Sequence, residues 1–183
     1  SHVESAKCTP EEARRALGWP ESDAITVVHS GNMGKKQGLS HVVDAAMSAQ
    51  TSPGRTIEFV LVGDGNERRM LEARAASVPN IRFVDPVAKD QYPLVLAAAD
   101  ILLLHELPGV IEMSLPSKLT SYVTADRPIV AAVESEGIAG QMLTNYGAGA
   151  VVPAGEPTAL LDTIRRVSGD AAVWATMVEA AKT

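Results

Sequence analysis

The chemistry-bearing residues of this chain sit in turns that follow apolar runs. Pro116-Ser117-Lys118 opens what reads as a helix and is followed by Leu119-Thr120-Ser121-Tyr122. Backbone N–H groups at a helix start are free to bind an anion, and a lysine there opposes the helix dipole unless an anion is bound. Ser117 has a structural role open to it as an N-cap, whereas Lys118 has no comparable one. Two glycine-rich turns follow strands in the same way, Ser30-Gly31-Asn32-Met33-Gly34-Lys35-Lys36-Gln37-Gly38 and Val62-Gly63-Asp64-Gly65-Asn66. Gly31 and Gly34 allow the main chain close to a ligand, and Lys35 and Lys36 add positive charge. That segment is either a phosphate cradle or a tight turn beside solvated lysines; the second turn, taken alone, reads as a plain turn. Three such turns together imply a phosphate-bearing ligand at one edge of a sheet. Glu106 and Glu112 share a loop with Pro108 and Gly109 and are either acceptors for sugar hydroxyls or solvated charges. His105, at a strand end, reads as a structural histidine more readily than as a ligand contact.

Elements must hold these turns in place. Strands are expected at 25–29, 56–62, 81–84, 101–104, 128–133 and 150–152, because each is a short, nearly continuous apolar run. Between and around them, helical spacing or capping signals mark 9–18, 39–50, 67–77, 90–98, 118–125, 137–146, 158–167 and 171–181. Thr9, Pro10, Glu11 and Glu12 make a strong helix start, and Gly147 a helix stop. Val42, Val43, Ala46 and Met47 are expected on one buried face, and Met70, Leu71 and Ala75 on another. Alternating strands and helices with unbroken apolar strands predict an α/β fold, a Rossmann-like open parallel sheet of about six strands with helices on both faces. Ligands of such sheets bind beyond the carboxyl ends of the strands, where the strand order reverses.

Composition narrows the function. The 183 residues carry 16 Lys and Arg against 22 Asp and Glu, a net charge of −6. No basic face for nucleic acid is visible, so phosphate recognition must be local. Cys8 is the only cysteine, which excludes an internal disulfide and fits a cytoplasmic setting. No apolar run approaches the roughly 20 residues of a membrane span. The first turn is neither a Walker loop nor a Gly-x-Gly-x-x-Gly fingerprint. No Asp-x-Asp pair offers a metal site, so no metal is expected. The chain starts at Ser1 and stops within a helical pattern, which leads us to expect a single domain, residues 1–183, excised from a longer protein.

Taken in order, several segments resemble the C-terminal, donor-binding domain of group 1 (family 4) retaining glycosyltransferases of the GT-B fold. They are His29 to Leu39, Phe59 to Gly65, Asn80 to Phe83, Ala99-Asp100-Ile101, Pro116 to Leu119 and Arg127-Pro128-Ile129-Val130-Ala131. The resemblance runs from about Trp19 to Val167. The Gly-Asn-x-Gly-Lys-Lys-Gln-Gly and Pro-Ser-Lys forms are most similar to a branch that includes amino-sugar transferases of surface-polysaccharide synthesis. The resemblance implies one half of a GT-B fold that binds a UDP- or GDP-sugar. It implies that Gly31, Asn32, Gly34, Lys36 (or Gln37), Ser117 and Lys118 face the diphosphate. It places Val84, Val87, Leu119 and Ser121 toward the ribose and base, and Glu106, Glu112 and Met113 toward the donor sugar. The implied partner is an N-terminal acceptor-binding domain of the same chain, through which the protein would meet a membrane surface; the fragment alone is expected to be inactive.

The sequence departs from that family at two places. The family's Glu-x7-Glu motif places its second Glu on Ser121 and its first on Met113, beside Glu112. The usual Arg and Lys of the first turn stand here as Asn32 and as Lys36 or Gln37. Two rival readings follow: a non-catalytic module of the same fold, and half of a sugar-nucleotide epimerase.

Overall fold

A computed structural model describes residues 8–183. Six strands form one sheet: β1 (Ile25–Ser30), β2 (Ile57–Val62), β3 (Ile81–Val84), β4 (Ile101–His105), β5 (Ile129–Ala132) and β6 (Gly149–Val152). Their order is β3-β2-β1-β4-β5-β6, and every pairing is parallel. Every residue of β1, β4 and β5 is buried, which is why Val27-Val28, residues 101–104 and Ile129–Ala132 read as continuous apolar runs instead of alternating ones.

Among the described residues, eight α-helices cover both faces: α1 (Pro10–Ala16), α2 (Ser40–Ala49), α3 (Arg68–Arg74), α4 (Tyr92–Ala97), α5 (Ser117–Val123), α6 (Ile138–Tyr146), α7 (Pro157–Gly169) and α8 (Ala171–Ala180). The pleat sends alternate strand residues to opposite cores. Val27, Phe59 and Leu103 pack with α2, α7 and α8 on one side. Val28, Val60, Leu102 and Leu104 pack with α1, α4, α5 and α6 on the other. Each face is a layer of helix on sheet, and the expected α/β architecture is the one observed.

Local signals explain the element ends. Thr9 caps α1 in a reciprocal box with Glu12, through bonds of 3.2 and 3.1 Å, an arrangement that typically contributes about 1 kcal/mol. Gly147 ends α6 with a φ of +64°. Elsewhere the structure departs from expectation. Met47 and Met70 are 38% and 45% exposed; the buried stripe of α2 runs through Val42, Val43, Ala46 and Ala49, and Met47 sits at its edge. A short 3-10 turn, Lys35–Gln37, fills the first glycine segment and ends at Gly38 with φ +57°. Ser117 is the first residue of α5 and not its cap. Pro116 takes the cap position with extended ψ, and no side chain closes the helix start.

The chain moves outward from β1 to β2 and β3, then crosses back to place β4 on the other side of β1. That reversal opens a crevice at the carboxyl ends of β1 and β4, at Ser30 and His105.

Candidate functional site

The crevice is a cleft of about 600 Å³. Its floor is built from main chain. Gly31 N–H donates to Val62 O at 2.9 Å and Gly63 N–H to Val84 O at 2.9 Å, so each glycine turn continues the ladder beyond its strand. The second turn does not reach the cleft. It buttresses the first: Met33 N–H donates to Asp64 O at 2.8 Å and Glu67 N–H to Met33 O at 2.9 Å. Gly63 has a φ of +141°, and a Cβ there would collide with Gly31 O. Only glycine lets the two turns lie this close.

The opposite wall is tied to the first turn. Leu107 N–H donates to Lys36 O at 2.7 Å, and His105 Nδ1 lies 2.8 Å from Gln37 O. Burial lowers the His105 pKa to about 4, so the ring is neutral and Nδ1–H is the donor. His105 thus has the structural role expected of it, although its ring also borders the cleft.

Lys118 is the electrostatic centre. Its Nζ is buried and has no hydrogen-bond partner among the described residues. A Cβ built on Gly31 would meet Lys118 Cε and Nζ at 3.3 Å, so the ammonium lies against the glycine turn. Desolvation lowers the Lys118 pKa to about 8, opposed by the Glu106 carboxylate. A buried cation with no partner is costly and is stabilised when an anion arrives. Beneath it His29 is fully buried, with neither ring nitrogen hydrogen-bonded among the described residues. Burial, then the Lys118 charge, hold its pKa well below the ordinary value, so His29 adds no positive charge.

Glu106 and Glu112 both line the cleft. Glu106 is 8% exposed, and burial, then the Glu112 charge, raise its pKa. Glu112 Oε1 lies 4.0 Å from the exposed Lys36 Nζ.

The structure brings Gly31, Asn32, Lys36, Gln37, Ser117, Lys118 and Ser121 together around this cleft with Glu106 and Glu112. Five expected positions lie apart. Gly34 faces a separate pocket on the far side of the turn with Leu39 and Met70, and its N–H is taken by Gln37 Oε1 at 2.9 Å. The Leu119 side chain is wholly buried in the core, because the apolar face of α5 points down onto the sheet. Val84 and Val87 pack against that same core and are not part of the cleft wall. Met113 is 80% exposed and does not line the cleft; the carboxylate that does is its neighbour Glu112.

Sequence reasoning missed the hydroxyls of the floor. Ser30 Oγ lies 2.8 Å from Tyr92 Oη. Ser30 N–H donates to Tyr122 Oη at 3.1 Å, and Tyr122 O–H donates to Leu103 O at 3.0 Å. Burial drives the Tyr122 pKa far up, so its proton stays on. A tyrosine on an otherwise apolar helix face was the available signal for Tyr122, and a position in the first turn after a strand was the signal for Tyr92. Arg127, part of the sequence resemblance, lies behind the site and serves the fold. Its guanidinium donates to Ala99 O, Ala97 O and Cys8 O at 3.0, 2.9 and 2.8 Å.

Among the described residues no group of three or more His, Cys, Asp or Glu is placed to hold a metal ion. None of their helices is long and apolar enough to cross a membrane.

Comparison with known proteins points one way. The model of the family "Glycosyl transferases group 1" matches residues 24–170. WcaI of Escherichia coli (strain K12), named as a glycosyl transferase of colanic acid biosynthesis, is 30% identical over 135 residues, 73% of this chain and 32% of its own length. The 2-deoxystreptamine glucosyltransferase of Streptomyces kanamyceticus is 28% identical over 178 residues, 93% of this chain and 43% of its own. The chain therefore spans a third to under half of these curated relatives. Anabaena Alr3699/HepE, solved with UDP and glucose, superposes with a TM-score of 0.74 at 21% identity, over 94% of this chain and 46% of that one. The C-terminal domain of a group 1 protein, LpcC, from Francisella tularensis gives 0.73 at 14% identity, over 98% and 94%. At those identities the structural likeness speaks to the fold.

Proposed function

This chain belongs to the group 1 glycosyltransferase family, and from that membership we propose that its cleft holds the diphosphate of a nucleotide-diphosphate-sugar donor. The transfer is a retaining one of a hexosyl or amino-sugar unit, in surface polysaccharide or glycoconjugate synthesis. The observation that carries this is the Lys118 ammonium, buried without a hydrogen-bond partner among the described residues and set against the Gly31 main chain at the point where the strand order reverses.

The chemistry follows from that arrangement. As the glycosidic bond breaks, negative charge grows on the departing diphosphate. A cation that is already desolvated and already positioned stabilises that charge without reorganising. Lys118 supplies the charge, with the Gly31 to Asn32 main chain and Ser117 as further contacts and the exposed Lys36 side chain at the rim. Ser117 is free for this because it caps nothing. Ser121 lies toward the ribose, and Glu106 and Glu112 face the sugar, where carboxylate oxygens accept hydrogen bonds from hydroxyl groups.

Residues 1–183 form the donor-binding half on this reading. An N-terminal acceptor domain of the same chain completes the enzyme and carries its peripheral contact with a membrane, and the protein works in the cytoplasm. This half alone catalyses nothing. Ser121, where the family carries a carboxylate, favours a second reading, a non-catalytic module that has lost its nucleotide.

Calorimetry on the intact protein with UDP, GDP and their sugar conjugates decides between the two. Binding that Lys118→Ala weakens at least tenfold supports donor binding. No binding at millimolar nucleotide supports the module, and an affinity unchanged by Lys118→Ala removes Lys118 from the site.

A further inference from the structure

We propose that Tyr92 is a specificity-determining residue of this cleft, holding the nucleoside end of the ligand where the cleft passes into a second pocket. The inference rests on the diphosphate reading above and extends it to a residue with no part in it.

Three observations converge. First, Tyr92 begins α4 at the same sheet edge as the glycine turn, half-buried, with its ring against the core and its hydroxyl toward Ser30. Second, the hydroxyl has spare capacity. Tyr122 spends its proton on Leu103 O and accepts from Ser30 N–H. Ser30 Oγ, 2.8 Å away, is the one hydrogen-bond partner of Tyr92 Oη among the described residues. A phenol can donate once and accept again, so whichever way that bond points, one capacity faces the cleft. Third, Tyr92 and Ser121 are the two residues shared by the main cleft and an adjoining pocket of about 170 Å³ between α4 and α5. Beyond them that pocket is lined by Pro93, Leu96, Ala97, Thr124 and Ala125.

The cleft therefore changes character along its length. Lys36, Lys118, Glu106 and Glu112 line only the main cleft, and the junction and the pocket beyond it present an aromatic ring, the hydroxyls of Tyr92, Ser121 and Thr124, and no charged side chain. A nucleoside diphosphate has that same polarity: two phosphates, then a sugar with hydroxyls, then a flat weakly polar ring. With the diphosphate on Lys118, the ribose falls between the Tyr92 and Ser121 hydroxyls. The base then packs on the Tyr92 ring at the mouth of the uncharged pocket.

The test uses three probes on the intact protein: UDP, GDP and inorganic pyrophosphate, which shares the phosphates and lacks the nucleoside. Aromatic stacking on a base is worth roughly 5- to 100-fold in affinity. Tyr92→Ala is expected to weaken UDP or GDP by about tenfold or more and to leave pyrophosphate within a factor of about two. Tyr92→Phe, which keeps the ring and drops the hydroxyl, is expected to fall between Tyr92→Ala and wild type. Tyr92→Leu keeps the packing volume on the core and should behave like Tyr92→Ala, which separates stacking from folding. Wild-type nucleotide affinity in Tyr92→Ala overturns the inference, as does equal loss of nucleotide and pyrophosphate. If Lys118→Ala weakens all three probes and the Tyr92 variants weaken none, this inference alone falls. If wild-type protein binds neither nucleotide nor pyrophosphate, the diphosphate reading falls as well.

Discussion

Replacing Lys118 by Met should make the ligand-free protein more stable while removing its affinity for phosphate. The side chain keeps its length and most of its apolar stem and loses only the charge. Burial lowers the Lys118 pKa from 10.5 to about 8. A shift of that size corresponds to a cost of about 3 kcal/mol for keeping the ammonium charged below pH 8. That shift already includes the ammonium's attraction to Glu106, so the expected net gain at pH 7 is about 3 kcal/mol, or about 6–12 °C in melting temperature. The sign with pH is fixed. Between pH 8 and 10.5 the unfolded chain holds the Lys118 proton more tightly than the folded one, so wild-type stability rises with pH across that window. The advantage of Lys118→Met should therefore shrink as pH goes from 8 to 10. Melting curves at pH 7, 9 and 10, with and without UDP or pyrophosphate, read all of this. A ligand at 100 times its dissociation constant adds about 2.7 kcal/mol to wild type, and it should add almost nothing to the variant. A variant less stable than wild type at pH 7, or one stabilised equally by ligand, refutes the idea of a cation held in readiness for an anion.

Other outcomes follow from the same structure. Gly63→Ala places a methyl against Gly31 O at a φ of +141° and should destabilise by about 3 kcal/mol or more by urea denaturation. His105 has its pKa lowered from 6.5 to about 4, so the folded state resists protonation. Stability should fall as pH drops from 6.5 to 4, and chemical denaturation of His105→Asn should show a shallower slope across that range. Arg127→Lys cannot reproduce a fork reaching the carbonyls of Ala97, Ala99, Asp126 and Cys8. It should cost about 2–3 kcal/mol in thermal unfolding and leave nucleotide affinity unchanged at temperatures where the variant is folded.

The fold was legible because burial on both faces leaves a strand no choice but continuous apolar residues. Val27-Val28 and Leu102-Leu103-Leu104 announce a covered parallel sheet, and parallel strands need crossovers. Strand order was not legible, since nothing in β1 or β4 names its neighbour; the site depends on that order. The side chains that line the cleft were readable where an energetic oddity marks them. Lys118 stands at a helix start where a lysine is unfavourable, and that oddity is visible in one dimension. Leu119 and Gly34 could not be sorted the same way, because their facing depends on where α5 settles on the sheet and on a Gln37 side chain folding back onto Gly34 N–H. Ser30, Tyr92 and Tyr122 converge from three elements 62 and 92 residues apart, a separation that local pattern cannot bridge.

The two sides of the crevice are sewn together by peptide groups, with Leu107 N–H on Lys36 O and the His105 ring on Gln37 O. That seam spends no carboxylate and no hydroxyl of the Glu106 to Glu112 segment. Residues along that segment are therefore free to be exchanged without unpicking the frame. On the proposed donor-binding function, a chain built this way would change which sugar it prefers by ordinary point substitutions while its grip on the common phosphate handle stays constant.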